Sequence, residues 1–375
     1  MLFNVCALYI KIMNNENQTI HKSDDNLTIY GWNEKLNQLK QESIYSTLAH
    51  GRVSIVHRTC YEVISGNGLF QCELTGNMMY GKSDDELPCT GDWVIFQPFD
   101  EHKGIIVDRL PRERTLYRKK SGTVADKQAI ASYVDKAFIV QSLDDNFNVR
   151  RVERFMVQIM EENISSVLVL NKADLDFDRQ SVEEQIKHIS SQIPVFFTSI
   201  HQLETIVRLR KSISEGETVV FVGSSGVGKS SLVNALCEKP VLLTSDISLS
   251  TGKGRHTSTR REMVLMDSSG VLIDTPGVRE FGLAIDNPDS LAEVLEISDY
   301  AELCRFKDCK HINEPGCAVI EAVNSGALDS KVYASYLKLR REAWHFSASE
   351  HEKRKKEKSF TKLVEEVKNR KDASR

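Results

Sequence analysis

The sequence lacks a long apolar run, a large net charge and the pattern of a signal peptide. None of its apolar runs approaches the roughly 20 residues that cross a bilayer, which predicts no membrane-spanning helix. Its formal net charge is only −4, so a surface that binds nucleic acid must be confined to part of the chain. The mildly apolar first ten residues have neither a basic stretch nor a small-residue cleavage site, so we expect no signal peptide.

The composition that is present suits a soluble protein of two or three domains, since 41% of the 375 residues are hydrophobic and 27% are charged. Residues 1–48 are polar and rich in asparagine, and we expect a poorly ordered lead-in there. Five short β-type segments follow, each ended by glycine-rich or polar turns, at 52–57, 61–65, 69–74, 93–96 and 105–107. Their spacing predicts a small barrel, either one that binds oligonucleotides or a packing module without a ligand.

A glycine-rich loop at 223–231 reads GSSGVGKSS, between an apolar β-type run and a helix-capable run. Strand, loop and helix in this order are the context in which G-x-x-x-x-G-K-[ST] cradles phosphates with backbone N–H groups. Lys229 is placed to reach the β- and γ-phosphates, and Ser230 to hold Mg²⁺. The alternative is a glycine-rich turn with a chance lysine. The residues predicted to bind the triphosphate are Gly223, Ser224, Ser225, Gly226, Val227, Gly228, Lys229, Ser230 and Ser231.

A second motif predicts which base is bound. Asn171, Lys172, Ala173 and Asp174 form an N-K-x-D box at the end of a buried-type strand. An Asp carboxylate accepts both the N1–H and the 2-amino group of guanine, which adenine does not offer. The Asn side chain can reach N7, and the Lys stem can pack on the ring. Guanine O6 would be capped by backbone N–H groups of the segment Thr198, Ser199 and Ile200, where a further apolar run ends. The box disfavours a P-loop ATPase.

The part of the site that contacts the γ-phosphate is predicted from a D-x-x-G box, which is formed by Asp274 and Gly277 after another apolar run. Thr257, in a polar loop flanked by glycine, is expected to close on Mg²⁺ together with Asp274. Val278 stands where Ras-like enzymes carry a glutamine that orients water, so intrinsic hydrolysis should be slow. His256 is the candidate for the missing group, with Lys229 as the other catalytic residue. The alternative for His256 is a contact to RNA or packing within the loop.

Four metal-ligating residues lie within fourteen positions, namely Cys304, Cys309, His311 and Cys317. This donor set suits tetrahedral zinc without an open position, so the predicted metal is structural. The alternative is a cluster of free thiols. Eight cysteines in a chain with nucleotide-binding motifs also indicate a reducing cytosol rather than a disulfide framework.

Two basic segments remain. A connector holds Arg109, Arg112, Arg114, Arg118, Lys119 and Lys120, and it either contacts phosphates or is a solvated linker. The helical C-terminus becomes increasingly basic, with a run of cations at 353–358. It predicts an RNA contact, although interleaved glutamates also allow a solvated helix face.

The order of the motifs is rotated relative to Ras-like GTPases, because the N-K-x-D box precedes the glycine-rich loop and no such box follows Gly277. The GTPase domain is therefore predicted to be circularly permuted. With the barrel and the Cys₃His motif, the chain resembles the RsgA/YjeQ family over residues 50–350. The expected fold is multidomain α/β and β: an OB-like barrel at 49–112, a permuted P-loop GTPase at 113–283 with a mainly parallel sheet, and a helical zinc-binding domain with a basic tail at 284–375.

The resemblance implies a GTPase of small ribosomal subunit maturation. It implies the subunit and its 16S rRNA as partners, GTP and GDP as ligands, and hydrolysis that the ribosome stimulates. We expect Mg²⁺ with GTP, one structural zinc per chain, a cytoplasmic monomer and no membrane. The alternative function is an RNA-binding assembly scaffold that uses GTP as a docking ligand with negligible turnover.

Overall fold

The computed structural model describes residues 26–80, 83, 85–119, 127–238, 262–266, 270–274 and 288–347. Its contacts divide the chain into two compact units. The first comprises Met1–Tyr117 with Ala129–Glu280, and the second comprises Arg118–Gln128 with Phe281–Arg375.

Five strands of the first unit close into a barrel. They are β1 (Ala49–Val56), β2 (Tyr61–Ser65), β3 (Gly68–Leu74), β4 (Trp93–Asp100) and β5 (Lys103–Arg109), with the short helix α2 (Gly76–Met79) after β3. The pairing order is β1-β2-β3-β5-β4, and β4 pairs back with β1. Only β3 and β5 run parallel within the barrel. Val53, Val63 and Phe96 are fully buried in its core, so the barrel predicted from the turn spacing is present.

The segment before the barrel is partly folded. Helix α1 (Glu34–Glu42) begins after Asn33, whose side chain accepts a hydrogen bond from the Leu36 N–H at 3.1 Å. Trp32 and Leu36 are buried in a cluster with Trp93 of the barrel, and the two indole rings lie 4.9 Å apart in an edge-on arrangement. Residues 26–48 of the predicted lead-in therefore pack on the barrel, while residues 1–25 lie outside the described residues.

Six more strands extend the sheet beyond the barrel: β8 (Lys136–Ser142), β9 (Ser165–Asn171), β10 (Val195–Thr198), β11 (Thr218–Val222), β12 (Glu262–Leu265) and β13 (Val271–Asp274). Their spatial order is β10-β9-β8-β11-β13-β12, parallel from β10 to β13 and antiparallel at β12. The helices between them are α3 (Val149–Glu161), α4 (Arg179–Gln185), α5 (Lys187–Ser190), α6 (Leu203–Arg210) and α7 (Lys229–Leu236). Strands β6 (Leu116–Lys119) and β7 (Lys127–Ala131) form a separate two-stranded sheet.

The strand order carries the circular permutation. Strand β11, which leads into the glycine-rich loop, lies between β8 and β13. The strands on one side of it (β8, β9 and β10) come earlier in the chain, and those on the other side come later. Phe138 of β8 and Phe221 of β11 meet edge to face at 5.2 Å in the core of this sheet. The strand that ends in the N-K-x-D box is thus two strands from the phosphate-binding loop, with β8 between them.

The basic connector contains a buried ion pair. Arg112 donates to both carboxylate oxygens of Asp92, at 2.9 Å from Nε to Oδ1 and 2.6 Å from Nη2 to Oδ2, and the Asp92 side chain is fully buried. Arg114 pairs with Asp135 at 2.9 Å. Both arginines are therefore engaged within the first unit, an arrangement that neither sequence interpretation of the connector included.

The second unit is helical in the part described between residues 288 and 347. Its helices are α8 (Pro288–Val294), α9 (Ser298–Ala301), α10 (Ala318–Ser325) and α11 (Ser330–Ser347). Helix α8 contacts α11, and α9 contacts α10, around buried residues that include Leu291, Val319 and Leu339. Across the described residues of the chain, no helix combines the length and hydropathy that a membrane span requires.

Candidate functional site

The glycine-rich loop joins β11 to α7 and depends on its glycines. Gly223 and Gly228 have φ angles of +153° and +93°, in the region that L side chains rarely adopt. A Cβ on Gly223 would lie 2.4 Å from the Val140 carbonyl oxygen, and one on Gly228 would lie 2.4 Å from Asn171 Nδ2. The loop therefore runs against the ends of β8 and β9, where a side chain would not fit.

The lysine of this loop lies over the loop's first turn. Lys229 Nζ donates to the carbonyl oxygens of Gly223 at 2.8 Å and Ser224 at 2.7 Å. The ammonium is thus held beside the backbone that precedes α7, where a phosphate would meet both a cation and a helix N-terminus.

The N-K-x-D box ends β9 and is tied to both neighbouring loops. The buried amide of Asn171 donates from Nδ2 to the Val227 carbonyl at 2.8 Å, and Thr198 Oγ1 donates to its Oδ1 at 3.3 Å. The Ala173 N–H donates to the Thr198 carbonyl at 3.0 Å. Asn171 therefore connects the phosphate loop to the end of β10, in addition to the contact with guanine N7 that the sequence predicts.

Asp174, the predicted base-reading residue, is exposed. Hydrogen bonding by the Ser199 side chain, with help from the charges of His201 and Lys172, lowers the pKa of its carboxyl group. The group is therefore ionised at neutral pH, as acceptance of two guanine donors requires.

The expected cap on guanine O6 needs a more exact assignment. The Ser199 N–H donates to Thr205 Oγ1 at 3.0 Å, and the Ser199 hydroxyl oxygen accepts from the His201 N–H at 3.1 Å. Thr198 is buried and uses its hydroxyl on Asn171. Ser199 therefore orders the turn and Asp174, which leaves the next residue, the exposed Ile200, as the better candidate to offer an N–H to the base.

The predicted magnesium residues come from two neighbouring strands. Ser230 is the second residue of α7, and the buried Asp274 is the last residue of β13. Because β11 and β13 are parallel neighbours, the loop after β11 and the end of β13 lie at the same edge of the sheet. His256, Thr257 and Gly277 lie outside the described residues.

Two residues that the sequence interpretation missed also contact these loops. Asp144, two residues after Ser142 at the end of β8, accepts a hydrogen bond from Lys172 Nζ at 2.8 Å. Arg151, in the first turn of α3, donates to the Ser224 hydroxyl at 2.6 Å. Polar residues just beyond a buried parallel strand were the available signal, because β8 lies between the strands that carry the two motifs.

In the second unit, the ligand atoms of Cys304, Cys309, His311 and Cys317 all lie within 4.8 Å of one another. His311 Nδ1 is 3.5 Å from the sulfurs of both Cys304 and Cys317. Burial and the nearby Arg340 lower the pKa of His311, which favours the neutral imidazole that a metal requires. Three thiols and one imidazole at this spacing fit a tetrahedral Cys₃His zinc site.

The loop that carries these four residues is ordered by one carboxylate. Glu314 accepts backbone N–H groups from Ile312 at 2.9 Å, Asn313 at 3.1 Å and Lys310 at 3.2 Å. These hydrogen bonds lower the pKa of Glu314 to about 2. Tyr333 of α11 donates to the His311 carbonyl at 2.6 Å, so the loop is fixed to a helix as well as to itself.

The barrel, the permuted sheet and the motif-bearing loops define a circularly permuted P-loop GTPase. The family model described as RsgA GTPase matches residues 109–284. A second model, described as ABC transporter, matches residues 206–369, a range that contains the phosphate-binding loop that P-loop NTPases share.

Relatives cover almost the whole chain. A protein of Bacteroides thetaiotaomicron named small ribosomal subunit biogenesis GTPase RsgA 1 is 76% identical over 96% of this chain and 99% of its own length. A Leptospira interrogans protein named small ribosomal subunit biogenesis GTPase RsgA is 35% identical over 90% of this chain and 96% of its own length. The chain belongs to the RsgA GTPase family.

Solved structures agree. The crystal structure of YjeQ from Thermotoga maritima matches with a TM-score of 0.61 and 26% identity, over 79% of this chain and 98% of that one. YloQ, described as a circularly permuted GTPase, matches in fold with a TM-score of 0.59 at 22% identity, over 82% of this chain and 99% of its own. The family resemblance and the fold class predicted from the sequence are confirmed.

Proposed function

We propose that this GTPase acts in late maturation of the small ribosomal subunit. It binds the subunit and its 16S rRNA in the GTP state and leaves after hydrolysis that the subunit stimulates. The observation that carries the proposal is the relative that is 76% identical across 96% of the chain and is named for biogenesis of that subunit. The barrel and the basic C-terminal residues are the proposed RNA-contacting parts.

At the nucleotide, Asp174 reads the guanine edge, Lys172 packs on the ring and Ile200 offers its N–H to O6. The amides of the loop at 223–228 and the Lys229 ammonium hold the phosphates. Ser230 and Asp274, with Thr257, hold Mg²⁺, which neutralises charge on the phosphate oxygens. The support is the convergence of the loops after β9, β10, β11 and β13 at one edge of the sheet.

We assign one structural zinc to Cys304, Cys309, His311 and Cys317, on the evidence of their donor types and mutual distances. The domain boundaries at residues 48, 112 and 283, the monomeric state and the cytoplasmic location remain part of the proposal. None of the seven cysteines among the described residues forms a disulfide, which suits a reducing compartment.

The test is phosphate release measured with the protein alone, with purified small subunits and with purified large subunits. Slow turnover that only small subunits accelerate is the expected result. Binding to small subunits without acceleration would favour the RNA-binding scaffold that uses GTP as a docking ligand. ATP that competes equally with GTP would contradict a guanine-specific site.

His256 is the proposed catalytic residue that replaces the missing glutamine, since Val278 has no group that orients water. His256→Ala should keep nucleotide affinity, slow basal turnover and lose most of the stimulation by small subunits, because orienting groups are worth several orders of magnitude in phosphoryl transfer. Subunit binding with a non-hydrolysable GTP analogue is the control. A variant that binds subunits normally and is stimulated like the wild type would remove the catalytic assignment.

A further inference from the structure

The loop between β8 and α3, together with the first turn of α3, contacts both halves of the nucleotide site. At one end, the Leu143 N–H donates to the Asn171 carbonyl at 2.9 Å, which continues the parallel pairing of β8 with β9 into the N-K-x-D box. At the other end, Arg151 Nη1 contacts the Asn146 carbonyl oxygen at 3.3 Å and the Ser224 hydroxyl at 2.6 Å. The loop is therefore part of the site's framework although it carries neither motif.

Asp144 is the fixed carboxylate of this loop. Its Oδ1 accepts the Ser142 hydroxyl at 2.6 Å and the Asn146 N–H at 3.0 Å, which leaves Oδ2 directed at Lys172 Nζ, 2.8 Å away. Burial alone would raise the pKa of Asp144. Hydrogen bonds from Lys172 and Ser142 outweigh this effect and lower the pKa to about 2. The carboxylate therefore stays ionised at every pH at which the protein would work.

The pair is poorly suited to stabilising the fold. The side chains of Lys172 and Asp144 are 36% and 31% exposed, and ion pairs with this much solvent access contribute little to stability. Lys172 also has a φ angle of +62°, an unusual backbone conformation for a lysine, of the kind that persists only where the surrounding structure holds it in place.

We propose that Asp144 is a positioning residue for base recognition, which holds the Lys172 ammonium so that the lysine stem lies along the guanine ring. This inference rests on the proposed role of Lys172 in nucleotide binding. Without Asp144 the stem must be ordered by the nucleotide itself, and ordering one flexible side chain costs about three- to tenfold in affinity.

The chain offers a matched control. Asp145 is the adjacent carboxylate of the same loop and is exposed. Asp144→Asn should weaken GTP and GDP binding by the same factor, about three- to tenfold, because the affected contact is at the base. It should raise KM without changing kcat and leave Tm unchanged, whereas Asp145→Asn should match the wild type in all of these measurements.

A double variant tests whether Asp144 affects nucleotide binding through Lys172. If Asp144 acts through Lys172, Asp144→Asn should have no further effect on affinity in a Lys172→Met background. Additive losses in the double variant, a loss that differs between GTP and GDP, a lowered Tm, or affinities equal to those of Asp145→Asn would each overturn the proposal. Wild-type protein that does not prefer guanine nucleotides over ATP would instead overturn the proposed function, so the two failures are distinguishable.

Discussion

The nucleotide site and the Cys₃His cluster are assembled in opposite ways. The cluster draws its four ligands from fourteen consecutive residues, and a single carboxylate, Glu314, orders the loop between them. The nucleotide site is built from the ends of β8, β9, β10, β11 and β13, so its parts meet only because the sheet orders those strands side by side. A site made from consecutive residues can be recognised from their spacing in the sequence. For a site assembled from several strands, the sequence shows the motifs but not the residues that support them.

The largest effect should come from breaking the local site. Cys317→Ala should abolish zinc binding, measured by elemental analysis, because three remaining ligands leave the tetrahedral set incomplete. The helical second unit should then melt at a lower temperature or become sensitive to protease, since metal-binding free energy is folding free energy at such sites.

The control for this variant is Cys60→Ala, which removes a thiol of the barrel. GTP binding should survive in Cys317→Ala, because the cluster and the nucleotide-binding loops belong to different compact units. Equal loss of zinc and GTP binding would contradict that separation, and protein purified without chelator that contains no zinc would refute the metal assignment.

The next effect concerns the phosphate half of the assembled site. Lys229→Ala should weaken GTP binding at least about 100-fold, because two charge-assisted hydrogen bonds to phosphate oxygens, worth about 1.5–3 kcal/mol each, are lost together. Calorimetric titration measures the affinity, and an unchanged Tm checks the fold. Lys211→Ala, at an exposed lysine that follows α6, is the control. Normal GTP affinity in Lys229→Ala would mean that the loop does not bind phosphate as argued.

A smaller effect, on selectivity rather than on total affinity, is expected at the base. Asp174→Asn should lower GTP affinity roughly tenfold to 100-fold and raise the affinity for xanthosine triphosphate, because an amide can donate to the 2-oxo group of xanthine. A binding competition between the two nucleotides measures the ratio. Asp176→Asn, at an exposed carboxylate two residues further on, should behave like the wild type. An unchanged ratio in Asp174→Asn removes the base-reading role.

Much of the fold was predictable because it depends on short-range patterns. Turn residues every few positions marked the five barrel strands, and apolar runs that end in motifs marked β9, β11 and β13. The strand ends were less predictable: β4 continues through Asp100, four residues past the predicted end, with a register irregularity near Pro98. Such extensions depend on a partner strand, since β5 supplies the hydrogen bonds that keep β4 extended.

The folded part of the N-terminal segment was underestimated for a similar reason. Residues 26–48 are polar in composition, yet Leu27, Trp32 and Leu36 are buried in the cluster with Trp93, and further apolar side chains of the segment pack against it. A short helix of this kind is only marginally stable by itself and is stabilised by packing on the barrel. Amino-acid composition does not predict such packing.

The sequence alone was enough to predict the chemistry of this protein, because the phosphate loop, the guanine box and the cluster are each contiguous and their backbone geometry follows from local residue types. Tertiary structure decided which residues support that chemistry. It paired Asp144 with Lys172 across 28 residues, Asn171 with Val227 across 56 and Arg151 with Ser224 across 73. These contacts depend on the order of strands in the sheet, which places β8 between β9 and β11, and no local pattern specifies that order.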